Sequence, residues 1–281
     1  MRYRLYLLAA ALLWSTSGAA IKNCSLNGVQ IAFARSLVAG LVLFLAFKEA
    51  RIRPTLRIFL VGLAYAATVV LFVIATKATT SANAIFLQDT APLWVLLWSP
   101  LILKERASKS ELLAVPVFLG GLALFFLDQL TPSQVTGNLI ALASGVAFSL
   151  CIVGLRLVKS EGAAATAWGN LIAAAVTLPF IFKGPSPTSL DFGLVLFLGI
   201  FQLGIPYALF AKGVTHVPAV EASLLILLEP VLNPVWTFFA AGERPGKFAI
   251  MGGAVILAAT LWKTFTPSKA NEVVDNERPT N

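Results

Sequence analysis

The sequence predicts an all-α integral membrane protein of ten transmembrane helices, arranged as two inverted five-helix repeats with the N- and C-termini both cytoplasmic. Three observations lead there: an apolar composition, apolar runs of crossing length, and an internal match between the two halves. The chain has 281 residues, 58% of them hydrophobic and 12% charged, and its mean hydropathy is +0.85. A soluble protein averages about 45–50% apolar and about 25% charged residues. A chain of this length cannot bury the excess in one water-facing core, so part of its solvent is lipid.

Each crossing needs about 20 apolar residues and a short connection. Apolar runs between charged punctuation place crossings near 5–21, 29–47, 58–76, 83–103 and 112–127, then near 138–155, 164–182, 192–211, 219–240 and 247–263. Backbone groups in lipid must be satisfied internally, and these runs are far longer than barrel strands, so each reads as a helix. The first run, from Arg2-Tyr3-Arg4 to Ser17-Gly18-Ala19, also has the outline of a secretory leader. Its match to a later segment favours a helix instead. Residues 265–281 are polar and read as a disordered cytoplasmic tail.

Lys and Arg in alternate connections set the orientation. With the N-terminus inside, the inner side carries 15 of them, from Arg2 and Arg4 to Arg278, and the outer side five: Lys22, Lys77, Lys183, Arg244 and Lys247. This scatter between apolar runs explains the net charge of +8 and argues against nucleic acid as a partner. Cys24 and Cys151 fall at different depths, which disfavours a disulfide. One histidine, His216, excludes a His-rich metal cluster, and neither a metal nor another cofactor is expected. No nucleotide-binding loop of the GxxxxGK[ST] form is present, so ATP is not the direct energy source.

The halves match in order and spacing. Pro92, Trp98 and Glu105-Arg106 recur, equally spaced, as Pro230, Trp236 and Glu243-Arg244. At the start of each half, Trp14-Ser15 falls on Phe148-Ser149 and Lys22 on Arg156, and toward the end Gly120-Gly121 answers Gly252-Gly253. The chain therefore divides at 1–134 and 135–264. Five crossings is an odd number, so the second unit enters from the opposite side. Inverted repeats of this kind are a recurring transporter plan with the site near mid-membrane. The double glycines suit close helix packing, within one monomer or between the protomers of a dimer.

Charges at mid-membrane cost at least ~2.5–3.5 kcal/mol, so each requires a reason. Arg35 and Asp89 each lie about six residues from the outer end of their crossings. They read as an ion pair or as separate snorkelling side chains, structural or gating in role. Glu221 lies near the inner end of the ninth crossing, at a depth close to Arg156, and the two read as a cytoplasmic-side pair. Glu229 is central, between helix-loosening positions at Pro230 and Pro234. Glu229, Asn233 and Trp236 share a face at i, i+4 and i+7. That carboxylate reads as a binder of an amine, as a proton carrier, or as a structural group bonded to a neighbouring helix. Gln88 and Pro92 share a face of the fourth crossing, and Trp94 and Trp98 form an aromatic stripe there. Trp14, Ser15 and Thr16 lie near the middle of the first. Tyr65, Thr68, Gln202 and Tyr207 are further lining candidates, whereas Trp168 and Trp262 suit the interfacial belt.

Two five-helix halves, with Leu-Glu-Pro-Val at 228–231 and Ala-Gly-Glu-Arg at 241–244, resemble the EamA type of the drug/metabolite transporter superfamily. The resemblance covers about residues 5–264. It departs where Ala91 precedes Pro92 in place of an acidic residue and where Lys104 replaces a glycine. Within the superfamily the chain looks most like aromatic amino-acid exporters of the YddG type. The resemblance implies a secondary transporter of a bacterial cytoplasmic membrane, exporting small amphipathic metabolites such as aromatic or neutral amino acids by alternating access. Trp14, Ser15, Tyr65, Gln88, Trp94, Trp98, Gln202, Tyr207, Glu229 and Asn233 would form its site. A multidrug or other metabolite exporter is the alternative. A nucleotide-sugar or organophosphate exchanger would want several buried cations, and only Arg35 lies deep. An enzyme would need a clustered nucleophile and base, which the sequence lacks. A membrane protein without transport is the remaining class.

Overall fold

The computed structural model describes residues 1–127, 134–232, 236 and 246–265. Among these there is helix and no strand. Seven apolar helical stretches are long enough to cross a bilayer: Gly28–Ala46, Leu56–Ala78, Ser81–Leu103, Lys109–Phe126, Val135–Lys183, Ser189–Val214 and Lys247–Phe265. Val135–Lys183 runs for 49 residues, twice what one crossing needs, and it turns at Lys159, whose φ is 48°.

In chain order the helices are α1 (Arg2–Trp14), α2 (Ser17–Asn23), α3 (Gly28–Ala46), α4 (Leu56–Ala78), α5 (Ser81–Gln88), α6 (Ala91–Trp98) and α7 (Lys109–Phe126). They continue as α8 (Val135–Val158), α9 (Gly162–Thr177), α10 (Ser189–Phe197), α11 (Ile205–Val214), α12 (Ala219–Leu225) and α13 (Lys247–Phe265). Local chemistry sets several starts. Asn27 with Gln30, Ser108 with Glu111 and Thr188 with Asp191 form capping boxes at α3, α7 and α10, each satisfying otherwise orphaned backbone donors. Thr55 and Thr80 cap α4 and α5.

Four of the expected crossings are interrupted. α1 gives way to α2 at Ser15–Thr16, and α5 to α6 at Asp89–Thr90. α12 ends at Leu225, a turn occupies 226–227, and helix resumes at 228–232. Between α10 and α11, Leu198–Gly204 widens into a π-helical segment. The breaks at 89–90 and 226–227 are separated by almost the offset that aligns Pro92 with Pro230. Pro92 sits in the first turn of α6, where its missing N–H costs nothing.

The outer surface is apolar, with Leu45, Leu56, Leu101 and Phe182 each more than two-thirds exposed, as lipid-facing positions require. Inside, α4 packs on α8 and α9, α3 on α9, α1 on α11, and α7 on α13. A Cβ on Gly252 would collide with the backbone of Gly121 and Phe125. The double glycines thus bring α7 and α13 of the same chain together, which accounts for Gly121 and Gly252 without a second protomer. Cys24 and Cys151 are both buried free thiols.

Candidate substrate cavity

The interruptions converge. A small cavity of about 30 Å³ lies at the centre, with aromatic and aliphatic walls from Trp14, Phe72, Phe148, Tyr207, Val69 and Leu203. Its polar lining is Arg35, Thr68, Gln88, Gln202 and Glu229. Every interrupted crossing lines the cavity from beside its break or from within its irregular stretch. Trp14 precedes the first break, Gln88 the second, Glu229 follows the third, and Gln202 belongs to the π-helical segment. Irregular backbone at membrane depth is tolerated only where it is buried in protein or lines a cavity.

Trp14 organises the aromatic wall. Its ring lies 4.7 Å from Tyr207, 5.3 Å from Phe210 and 5.9 Å from Phe148, within the range of favourable aromatic pairing. Tyr65 stands behind Tyr207 at 4.5 Å and is fully buried, its hydroxyl accepting from Asn170 Nδ2 at 2.9 Å. Tyr65 therefore supports the wall rather than forming it. Ser15 also lies behind the wall: its Oγ donates to the Leu12 carbonyl and accepts from Trp236 Nε1 at 2.7 Å. Trp94 and Trp98 do not reach the cavity. They lie on α6 beyond the break, and their indole nitrogens are buried without a partner among the described residues. Asn233 lies outside the described residues, as do Glu243, Arg244 and 266–281.

Arg35 departs from its expected place. It makes no ion pair with Asp89. Its Nη1 donates to Gln202 Oε1 at 2.9 Å and its Nη2 to the Val69 carbonyl at 2.8 Å, while Nε has no partner among the described residues. Depth along a helix says nothing about azimuth, and α3 turns Arg35 toward α4 and the π-helical segment. Asp89 ends α5, buried, with Oδ2 unpartnered among the described residues, and Glu229 is its charged neighbour.

The expected Glu221–Arg156 pair is also exchanged. Glu221 Oε1 lies 2.5 Å from Arg4 Nε, and Lys263 Nζ lies 3.9 Å from Oε2. Arg4 further donates to the Thr264 carbonyl. Arg156 instead binds Glu105 at 2.6 Å and the Val214 and Thr215 carbonyls at 3.1 Å each. At the opposite end of the helices, Asn138 Oδ1 accepts from Asn83 Nδ2 and Thr79 Oγ1, both at 2.8 Å. Lys22 there donates to the Thr79 carbonyl at 2.9 Å. Burial and the neighbouring Lys77 hold the Lys22 ammonium below its usual pKa. Lys22 and Arg156 thus do the same task at opposite ends, each closing the C-terminal carbonyls of another helix.

The family model for EamA-like transporters matches residues 1–127 and 135–264. The chain belongs to the EamA-like transporter family. Among its relatives is the "Uncharacterized transporter YwfM" of Bacillus subtilis (strain 168), 28% identical over 283 residues with 95% of each chain covered. Another is the "Threonine/homoserine exporter RhtA" of Escherichia coli (strain K12), 26% identical over 251 residues, covering 85% of this chain and 82% of that one. A solved crystal structure, 21% identical, matches with a TM-score of 0.78 over 98% of this chain and 99% of its own, a likeness of fold. As a family member this chain is a multi-pass transmembrane transporter. Aromatic walls with a few convergent polar groups are a lining suited to a small amphipathic solute. A family member's cavity at the meeting of broken helices is where cargo is sought first.

Proposed function

We propose that this EamA-like transporter exports small amino acids, aromatic and other neutral ones, from the cytoplasm by alternating access between two inverted five-helix halves. Its ten crossings lie in the bacterial inner membrane with both termini inside. The observation that carries this reading is the convergence of Trp14, Gln88, Gln202 and Glu229, one from each interrupted crossing, on one central cavity. The aromatic wall takes the side chain of the cargo, and the amides and the carboxylate take its polar end. The relation to a threonine/homoserine exporter supports an amino acid as cargo.

The cavity's volume of about 30 Å³ holds about two waters, far less than an amino acid. Cargo enters only when the interrupted helices part. The breaks at 15–16, 89–90 and 226–227 supply the hinges, since a few residues at element ends absorb such φ/ψ changes. The test is efflux of labelled phenylalanine, tryptophan, threonine and homoserine from vesicles containing the purified protein. Saturable efflux of any of them, with a raised KM in Trp14→Ala, is expected. Efflux of lipophilic cations in place of all four would move the assignment to multidrug export.

A further inference from the structure

The cavity is lined by an arginine and a glutamate that do not pair with each other. Arg35 is 1% exposed, yet the partners of its guanidinium are a side-chain amide and a backbone carbonyl, both neutral. No carboxylate lies within ion-pair distance of it among the described residues. Buried charges are ordinarily paired, because neutral hydrogen bonds do not replace the lost hydration. Glu229 lines the same cavity, and its carboxylate likewise has no ion-pair partner among the described residues. Asp89, the charged neighbour of Glu229, is not part of the lining and carries the wrong sign to complete it.

We propose that Arg35 and Glu229 read the two charges of a zwitterionic cargo, Arg35 holding its carboxylate and Glu229 its ammonium group. This rests on the amino-acid reading above and narrows it to solutes that carry both groups. Arg35 is suited to the first task. A guanidinium has five N–H donors in a planar fork; two are spent on Gln202 and Val69, and three remain, the Nε–H among them. Those two bonds hold the fork in place, so little order is lost when a carboxylate binds. Gln202 is therefore a positioning residue for Arg35. Bound cargo would pair the buried Arg35 and the half-buried Glu229 at once, while a solute with one charge would leave the other side chain unpaired. Discrimination is strongest when a site is built to bond a group that the analogue lacks.

The experiment is inhibition of labelled phenylalanine efflux by phenethylamine, which lacks the carboxylate, and by 3-phenylpropionate, which lacks the amine, with unlabelled phenylalanine as reference. In the unaltered protein each analogue is expected to inhibit at least about tenfold more weakly than phenylalanine. Arg35→Gln should narrow the gap for phenethylamine alone, and Glu229→Gln the gap for 3-phenylpropionate alone. Phenylalanine efflux inhibited equally by all three in the unaltered protein overturns the inference while leaving the amino-acid reading intact. A parallel loss of discrimination against both analogues in either variant overturns it too. Absence of amino-acid efflux from folded protein removes the reading and the inference together. The comparison on the unaltered protein needs no variant to fold.

Discussion

Arg4 and Glu221 meet at 2.5 Å, and the positions that answer them in the internal repeat, Asn138 and Asn83, are hydrogen-bonded at 2.8 Å. The alignment that lays Lys22 on Arg156 lays Arg4 on Asn138, and the one that lays Pro92 on Pro230 lays Asn83 on Glu221. The two contacts lie at opposite ends of the helices. α8 alone, with Asn138 near one end and Arg156 near the other, separates those ends by roughly 27 Å at 1.5 Å per residue. One contact is a buried charge pair with Lys263 beside it, the other a pair of neutral amides.

Removing the Glu221 charge should open the end that it closes. Glu221→Gln leaves Arg4 and the fully buried Lys263 without a counter-charge. Breaking a buried pair in this way costs about 3–5 kcal/mol, charged to the state in which that end is shut. With a reporter Ser223→Cys in a chain lacking Cys24 and Cys151, thiol labelling should become at least tenfold faster. An unchanged labelling rate would mean that Arg4 and Glu221 do not hold this end closed. Asn83→Ala should have a smaller effect at the other end, because neutral amide bonds contribute about 1 kcal/mol each.

The break at Asp89–Thr90 leans on a glycine. A Cβ at Gly145 of α8 would sit 2.8 Å from the Leu87 carbonyl oxygen and 2.9 Å from that of Gln88. Both carbonyls are backbone atoms that cannot swing aside. Gly145→Ala should therefore lower thermal stability in detergent by an amount typical of overpacking, about 1–3 kcal/mol. Gly120→Ala is the control, since a Cβ there has no neighbour within 4 Å and alanine favours helix. Equal melting temperatures for the two variants would show that α8 is free to recede from the break.

What the sequence made legible follows from where its signals come from. Apolar helical stretches of crossing length were readable because lipid demands long apolar runs, and the breaks at 89–90 and 226–227 were foreshadowed by Pro92 and Pro230. The break after Trp14 has no proline or glycine at its turn, Ser15–Thr16, and gave no warning. Gln88, Gln202, Tyr207 and Glu229 stood out because polar groups in apolar runs need partners. Phe72, Phe148, Val69 and Leu203 line the same cavity but could not be told from lipid-facing or packing residues of similar type. Partners were the least legible. Sequence spacing gives depth, so Arg35 with Asp89 and Glu221 with Arg156 were reasonable matches. The actual choice depended on which way each helix is turned, and only packing decides that.

Asp89 is buried and makes no ion pair among the described residues, so a negative charge there works against the fold. Its Oδ2 is buried and unpartnered among the described residues. Asp89→Asn removes the ionisable group and keeps the size. The melting temperature of the variant should rise by a few degrees, since about 1 kcal/mol moves Tm by roughly 2–4 °C in a chain of this size. A lower melting temperature would show that Asp89 has a stabilising partner when the protein sits in its membrane.

Two further polar contacts separate support from recognition. Arg35 bonds Gln202, and Asn170 bonds Tyr65. Only the first pair lines the cavity. Asn170→Ala strips the buried Tyr65 hydroxyl of its donor, which should cost about 1–3 kcal/mol of stability while leaving the ranking of phenylalanine over phenethylamine unaltered. Gln202→Ala instead frees one terminal nitrogen of Arg35 and should weaken that ranking at a modest cost in stability. Measuring melting temperature and inhibition side by side in both variants distinguishes the two tasks. If Asn170→Ala changed the ranking as much as Gln202→Ala, the Tyr65 side of the cavity would have to be counted as part of the recognition surface.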